Sequence, residues 1–158
     1  MKARLIVLLL VTHVGVGLLG FGLGIYALPI LTAPASPTKA ELERVASSLV
    51  YQAEFVRELK GSDTFHWGEG TVSISVQAIS FEGELAPGPD YKLYLSPAFV
   101  ETEAEFEALK GQMLRIGDIR TFQNFIVPLD SQVNPFDYTS VIVWCESFGE
   151  FITAAKYR

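Results

Sequence analysis

Val141-Ile142-Val143-Trp144-Cys145-Glu146 is an apolar run that ends on a carboxylate. Side chains alternate across a strand, so period two places Val141, Val143 and Cys145 on one face. Ile142, Trp144 and Glu146 fall on the other. Large apolar groups on both faces imply a strand covered on both sides, because a half-exposed strand would carry polar residues at every second position. The segment predicts a layered β structure.

Working outward, Glu150–Ala155 reads as the following strand, and strands precede it around Asn124–Pro128, Gln112–Ile116 and Tyr91–Leu95. Thr71–Ile79 (TVSISVQAI), and before it Tyr51, Ala53 and Phe55, alternate apolar with polar. Lys60–Asp63 and Trp67–Gly70 carry turn chemistry. Glu84–Asp90 (ELAPGPD) reads as a loop, since Pro87, Gly88 and Pro89 cannot continue a ladder. Two capping boxes mark short helices. The first, Thr38-Lys39-Ala40-Glu41 followed by Leu42, Val45, Ala46 and Leu49, predicts a helix over 38–49; the second, from Thr102 to Glu105, predicts one near 102–110. The reading is a mainly β domain over 51–158, an antiparallel β-sandwich or barrel-like fold with one or two short helices.

Charge separates this body from what precedes it. Residues 1–37 contain no Asp or Glu and only two cations, Lys2 and Arg4. The remainder holds all 18 acidic residues and 10 of the 12 basic ones, a net charge of −8. Such a balance excludes nucleic acid, which needs clustered cations for phosphate contacts. The positive mean hydropathy of +0.30 comes largely from the N-terminal stretch.

That stretch, Leu5–Leu31, has no charged residue. About 20 residues cross a bilayer core, whereas a secretory signal has an apolar region of about 7–15. Residues 1–31 therefore predict a retained membrane anchor. Lys2 and Arg4 place the N-terminus in the cytoplasm and the body outside, as a single-pass protein of the plasma membrane. Gly20 and Gly24 form one GxxxG, the spacing used for close helix pairing, and so a candidate homodimer contact. His13 lies in the span without a partner and reads as neutral, snorkelling or packed on a helix. Residues 32–37 (TAPASP) form a stiff tether that holds the body within roughly 20 Å of the lipid.

Several chemistries are excluded by the residues that are missing. There is no GxSxG, P-loop, GxGxxG or HExxH motif. With His66 the only histidine of the body, no multi-histidine metal centre can form, and no cofactor is indicated. The single cysteine, Cys145, allows no internal disulfide or CxxC pair. Two readings of it stand: a small buried hydrophobe, or a redox thiol in an oxidising compartment. No cation adjoins it, and Glu146 would oppose a thiolate. Glu101, Glu103, Glu105 and Glu107 read as a solvated helix face, Asp90 as a turn cap through its carboxylate, and Trp67 and Trp144 as core or rim aromatics.

Certain motifs together resemble a known family. They are Phe55, the Gly68–Thr71 turn (GEGT), Gly88-Pro89-Asp90 running into Tyr91–Ser96 (YKLYLS), and Tyr138–Phe148 (YTSVIVWCESF) with Ala154-Ala155. Over about residues 53–157 the chain is similar to the DM-thirteen domain. The resemblance implies a β domain with an electron-transfer role, Cys145 as its redox residue, and His66 and Asp90 as the matching histidine and aspartate. Trp144 falls within the same motif. The chain departs from the family pattern at Phe125, where tyrosine is usual, near Thr121, where a glycine is missing, and over Leu114–Ile119. Two functions are expected on these grounds: a membrane-anchored redox accessory working with a partner protein, or a non-catalytic binding module in which Cys145 is packing.

Overall fold

The structure, a computed structural model, describes residues 2–158. A long helix, α1 (Lys2–Thr32), leads into a two-layer β domain. One sheet has the order β1-β2-β3-β6, formed by β1 (Leu49–Phe55), β2 (Gly68–Ser75), β3 (Ala78–Leu85) and β6 (Phe125–Pro128). The other has the order β5-β4-β7-β8, formed by β4 (Tyr91–Ser96), β5 (Leu114–Ile119), β7 (Ser140–Cys145) and β8 (Glu150–Lys156). Every strand pairing is antiparallel. Two short helices, α2 (Lys39–Ala46) and α3 (Glu103–Leu109), complete the domain.

The central run behaves as its pattern requires. Val141, Val143 and Cys145 face the space between the sheets, packed with Phe55, Val72, Phe81 and Leu93. Ile142 and Trp144 face the opposite way, into a second core with Tyr94, Phe106 and Phe151. Helix α3 closes that outer face. The strand is therefore covered on both sides, and every residue of β7 is buried.

Several boundaries differ from the sequence reading, each for a local reason. The first helix ends at Ala46 and Leu49 already belongs to β1, since of this helix only Leu42 is fully buried. The stretch 71–79 is a hairpin, not one strand: β2 stops at Ser75 and β3 starts at Ala78. The Ser75 hydroxyl accepts from the N–H groups of Gln77 and Ala78 and donates to the Ala78 carbonyl, closing the turn. Gly68 opens β2 although 67–70 reads as a turn. Within that strand Gly70 (φ +141°) lies against Gly83, and a Cβ on either would strike the other strand's backbone. Strand β3 extends to Leu85, which shortens the loop to Ala86–Asp90. Strand β5 begins at Leu114 because a 3-10 turn, Lys110–Gln112, follows α3 directly.

Helix α1 has 31 residues, about 46 Å at 1.5 Å per residue. Its length and apolarity suit it to cross a membrane, a property that signal sequences near an N-terminus share. His13 Nδ1 donates to the Leu9 carbonyl of its own helix at 2.7 Å. The stripe Gly22, Ile25, Tyr26 and Pro29, near the helix end, meets the domain. At about 100° per residue, Gly20 and Gly24 lie on the opposite side.

Candidate functional site

Cys145 ends β7, where β4 and β8 flank it with Tyr91 and Glu150 as register partners. Only 3% of the residue is exposed. A turn over 146–149 follows, closed by the Gly149 N–H donating to the Cys145 carbonyl at 2.9 Å, with Gly149 at φ +68°. Burial raises the thiol pKa above its ordinary value. The main-chain N–H groups of Phe148, Asp90 and Ser147 work in the other direction, and the Asp90 carboxylate adds to the rise. The sulfur thus stays protonated at neutral pH.

The thiol lines a pocket of about 340 Å³. His66, Tyr91, Phe148 and Ile152 contribute from the domain, and Gly22, Ile25 and Tyr26 from α1. Tyr26 meets Phe65 edge to face at 6.4 Å. His66 is anchored by Asp63, whose Oδ2 lies 3.0 Å from Nδ1, while the other carboxylate oxygen accepts from the His66 N–H at 2.8 Å. That pairing leaves Nε2 as the ring nitrogen open to a ligand. Tyr91 donates its hydroxyl to the Ala86 carbonyl at 2.7 Å, a bond that braces the Gly88-Pro89 loop. Burial pushes the tyrosine pKa well up.

The candidates named from sequence divide three ways. Cys145 and His66 share the pocket. Asp90 does not line it and does not cap its own turn. Its carboxylate turns to Lys92, two residues along the same face, and accepts from the Ser147 hydroxyl at 2.9 Å. Lys92 holds the Asp90 carboxyl below the usual range, against some desolvation. Lys92 also reaches Asp118 at 3.0 Å. Asp118 binds Arg115 and Arg120 as well, and its carboxyl is drawn down to about 2. Asp90, Lys92, Asp118 and Arg120 line a neighbouring cavity of about 240 Å³, with Tyr91 between the two spaces.

Trp144 is on the far side of the sheet. Its ring stacks on Phe106 at 3.9 Å and 11°, and its Nε1, fully buried, has no hydrogen-bond partner among the described residues. Glu146 also points away from the thiol, so Asp90 is the carboxylate that opposes ionisation. Glu146 accepts from the Tyr94 hydroxyl and from Lys110, both at 3.0 Å. Desolvation resists, but Lys110 and Tyr94 leave the Glu146 carboxyl lowered; burial and this carboxylate together push Tyr94 up to about 12. The acidic run is used structurally: Glu101 pairs with Lys60 at 2.6 Å, and Glu105 accepts from the Glu101 N–H at 2.8 Å. Trp67 is a half-buried rim aromatic under the Arg57 guanidinium, 3.5 Å from its ring centre.

Sequence reasoning missed Tyr91, Phe65, Phe148 and the α1 wall as parts of one site. Tyr91 was within reach as the residue after Gly-Pro-Asp. The helix wall was not, since no local pattern records where a distant helix docks.

Fold and site together define a small two-sheet domain with one buried thiol beside an apolar pocket, joined to a helix suited to cross a membrane. The family model described as electron transfer DM13 matches residues 54–157, and the chain belongs to that family. No curated protein and no solved structure matches the chain.

Proposed function

We propose that this protein is an electron-transfer accessory anchored in the plasma membrane, its β domain outside the cytoplasm and Cys145 its redox thiol. One observation carries the reading: the chain's single cysteine, at the end of β7, lines a mainly apolar pocket beside His66. The exchange is simple. The Cys145 sulfur bonds to one sulfur of a partner disulfide, and the partner's other sulfur leaves with the proton that Cys145 gives up. Retention of the helix is supported by its long apolar run and by the pocket, which would lose one wall if Gly22, Ile25 and Tyr26 were cleaved away. Lys2 and Arg4, ahead of the span, support the outward placement.

The test is exchange of membranes carrying the full chain with a small aromatic disulfide. The rate of adduct formation at Cys145 is expected to saturate with disulfide concentration, because the pocket fills before reaction. It is also expected to climb with pH beyond the ordinary thiol range, since the raised pKa keeps the thiolate scarce until then. A rate that stays linear in reagent, or that plateaus only at the rate of domain unfolding, would return Cys145 to packing. The burial of the sulfur favours that second reading, a non-catalytic binding module. In that case Cys145→Val would fold normally and leave function intact.

The Gly20 and Gly24 face of α1 is directed away from the domain and open for pairing. A Cβ at either glycine meets nothing within 4 Å. Gly20→Leu is expected to abolish crosslinked dimers in membranes by separating the helix backbones. Undiminished crosslinking would rule out this contact.

A further inference from the structure

We infer that the Cys145 pocket binds the ring of a lipid-soluble quinone that enters it sideways from the bilayer, an inference that rests on the membrane-anchored reading above.

Position comes first. Counted from Leu5, about 20 residues carry α1 to the outer edge of the hydrocarbon, near Gly24. The pocket wall is Gly22, Ile25 and Tyr26, the turns that straddle that edge. Beside them Phe65 and Phe148 are 60% and 54% exposed, and Tyr26 is 45% exposed. Aromatic side chains are enriched at this depth of a bilayer, where an apolar ring meets a polar boundary. A domain with a net charge of −8 is not drawn to anionic lipid by its charge. Its aromatic contact with the helix end supplies the approach instead.

Chemistry selects the ligand. Among the described residues that line the pocket there is no Lys or Arg, while Glu150 contributes a carboxylate. A phosphate headgroup or fatty-acid carboxylate would enter without a counterion, so the site suits a neutral molecule. Tyr26, Phe65, Tyr91 and Phe148, with Pro87 and Pro89, offer flat apolar surfaces that suit a planar ring better than a flexible acyl chain. Besides Glu150, the polar positions are few: His66, with Asp63 holding Nδ1, and the protonated Cys145 thiol. They provide hydrogen-bonding partners for the oxygens of a quinone or hydroquinone. About 340 Å³ accommodates one substituted ring and the first part of a tail, at the small end of ligand pockets.

The full chain is reconstituted in nanodiscs. The probe is a benzoquinone substituted at every ring position and bearing one isoprenyl unit, so no ring carbon is free for thiol addition. Saturable binding is expected by ligand-observed NMR and equilibrium dialysis. Gly22→Trp should weaken it about tenfold or more by filling the mouth. A Cβ at Gly22 meets nothing within 4 Å, so the substituted side chain starts in open space, and near-UV circular dichroism of the variant checks that the domain is intact. Gly17→Trp, at an equally open position that lines no pocket, should leave affinity unchanged. Equal affinity in the Gly22→Trp and parent chains would overturn the proposal. So would saturable binding of a fatty acid or diacylglycerol at this pocket that an excess of the quinone does not displace. The disulfide exchange assay uses no quinone, so loss of exchange with intact binding rejects the thiol reading alone, and the converse rejects this one alone.

Discussion

Replacing Trp144 with alanine is expected to cost about 3–5 kcal/mol of unfolding free energy, the range for truncating a large buried aromatic. The residue is completely buried, its ring stacked face to face on Phe106, which in turn takes the edge of Tyr94 at 5.2 Å. Alanine would leave a cavity between β7 and α3. Helix α3 has seven residues and fully buries only Phe106, so it offers no second large buried side chain to fill the space. Small domains hold about 5–15 kcal/mol in all, and the variant would consume much of that. Trp144→Phe separates ring packing from the indole nitrogen. It loses part of the stacked surface but also removes a buried N–H with no partner, which itself costs about 1–3 kcal/mol. The two effects oppose, and the expected net change is under about 1.5 kcal/mol. Urea unfolding of the detergent-solubilised chain, followed by near-UV circular dichroism, measures both. A Trp144→Ala loss below about 1 kcal/mol would mean that the outer core is not packed as described.

How far the sequence carried the structure depends on the range of the interactions involved. The two-faced burial of β7 is legible because alternation is a local property, and Val143, Trp144 and Cys145 declare their faces without help. The helix caps at Thr38 and Thr102 are legible for the same reason. The hairpin at Ser75 is not, because Val76 extends the apolar alternation while being 48% exposed. Only the side-chain bonds of Ser75 reveal the reversal. Alternation also puts Glu146 on the face away from Cys145, but its partners are hidden, since Tyr94 and Lys110 lie 52 and 36 residues away. Of the site, the thiol and His66 follow from the motif. The pocket does not, because its wall is the end of a helix whose pattern speaks only of lipid.

Gly88→Ala is expected to expose the thiol. A Cβ at position 88 would lie 2.5 Å from both Cε1 and the hydroxyl oxygen of Tyr91, closer than atoms can approach. The tyrosine cannot yield easily: it is 2% exposed, its hydroxyl is committed to the Ala86 carbonyl, and Phe122 meets its ring edge-on at 6.0 Å. Either the ring leaves or the Gly-Pro-Asp loop lifts, and both movements uncover Cys145, the register partner of Tyr91 on β7. Losing the buried hydrogen bond and part of the ring contact should cost about 2–3 kcal/mol. Alkylation of Cys145 under native conditions should accelerate about tenfold or more, the equivalent of about 1.4 kcal/mol in the opening equilibrium. Tyr91→Phe is the informative comparison. It removes the bond to Ala86 but keeps the ring as a cover, so its labelling rate should stay within about threefold of the parent while stability falls by about 1–2 kcal/mol. If the two variants label alike, the hydrogen bond and not the ring governs access to the sulfur. If neither labels faster than the parent, the loop does not screen Cys145, and access must come from the side of α1.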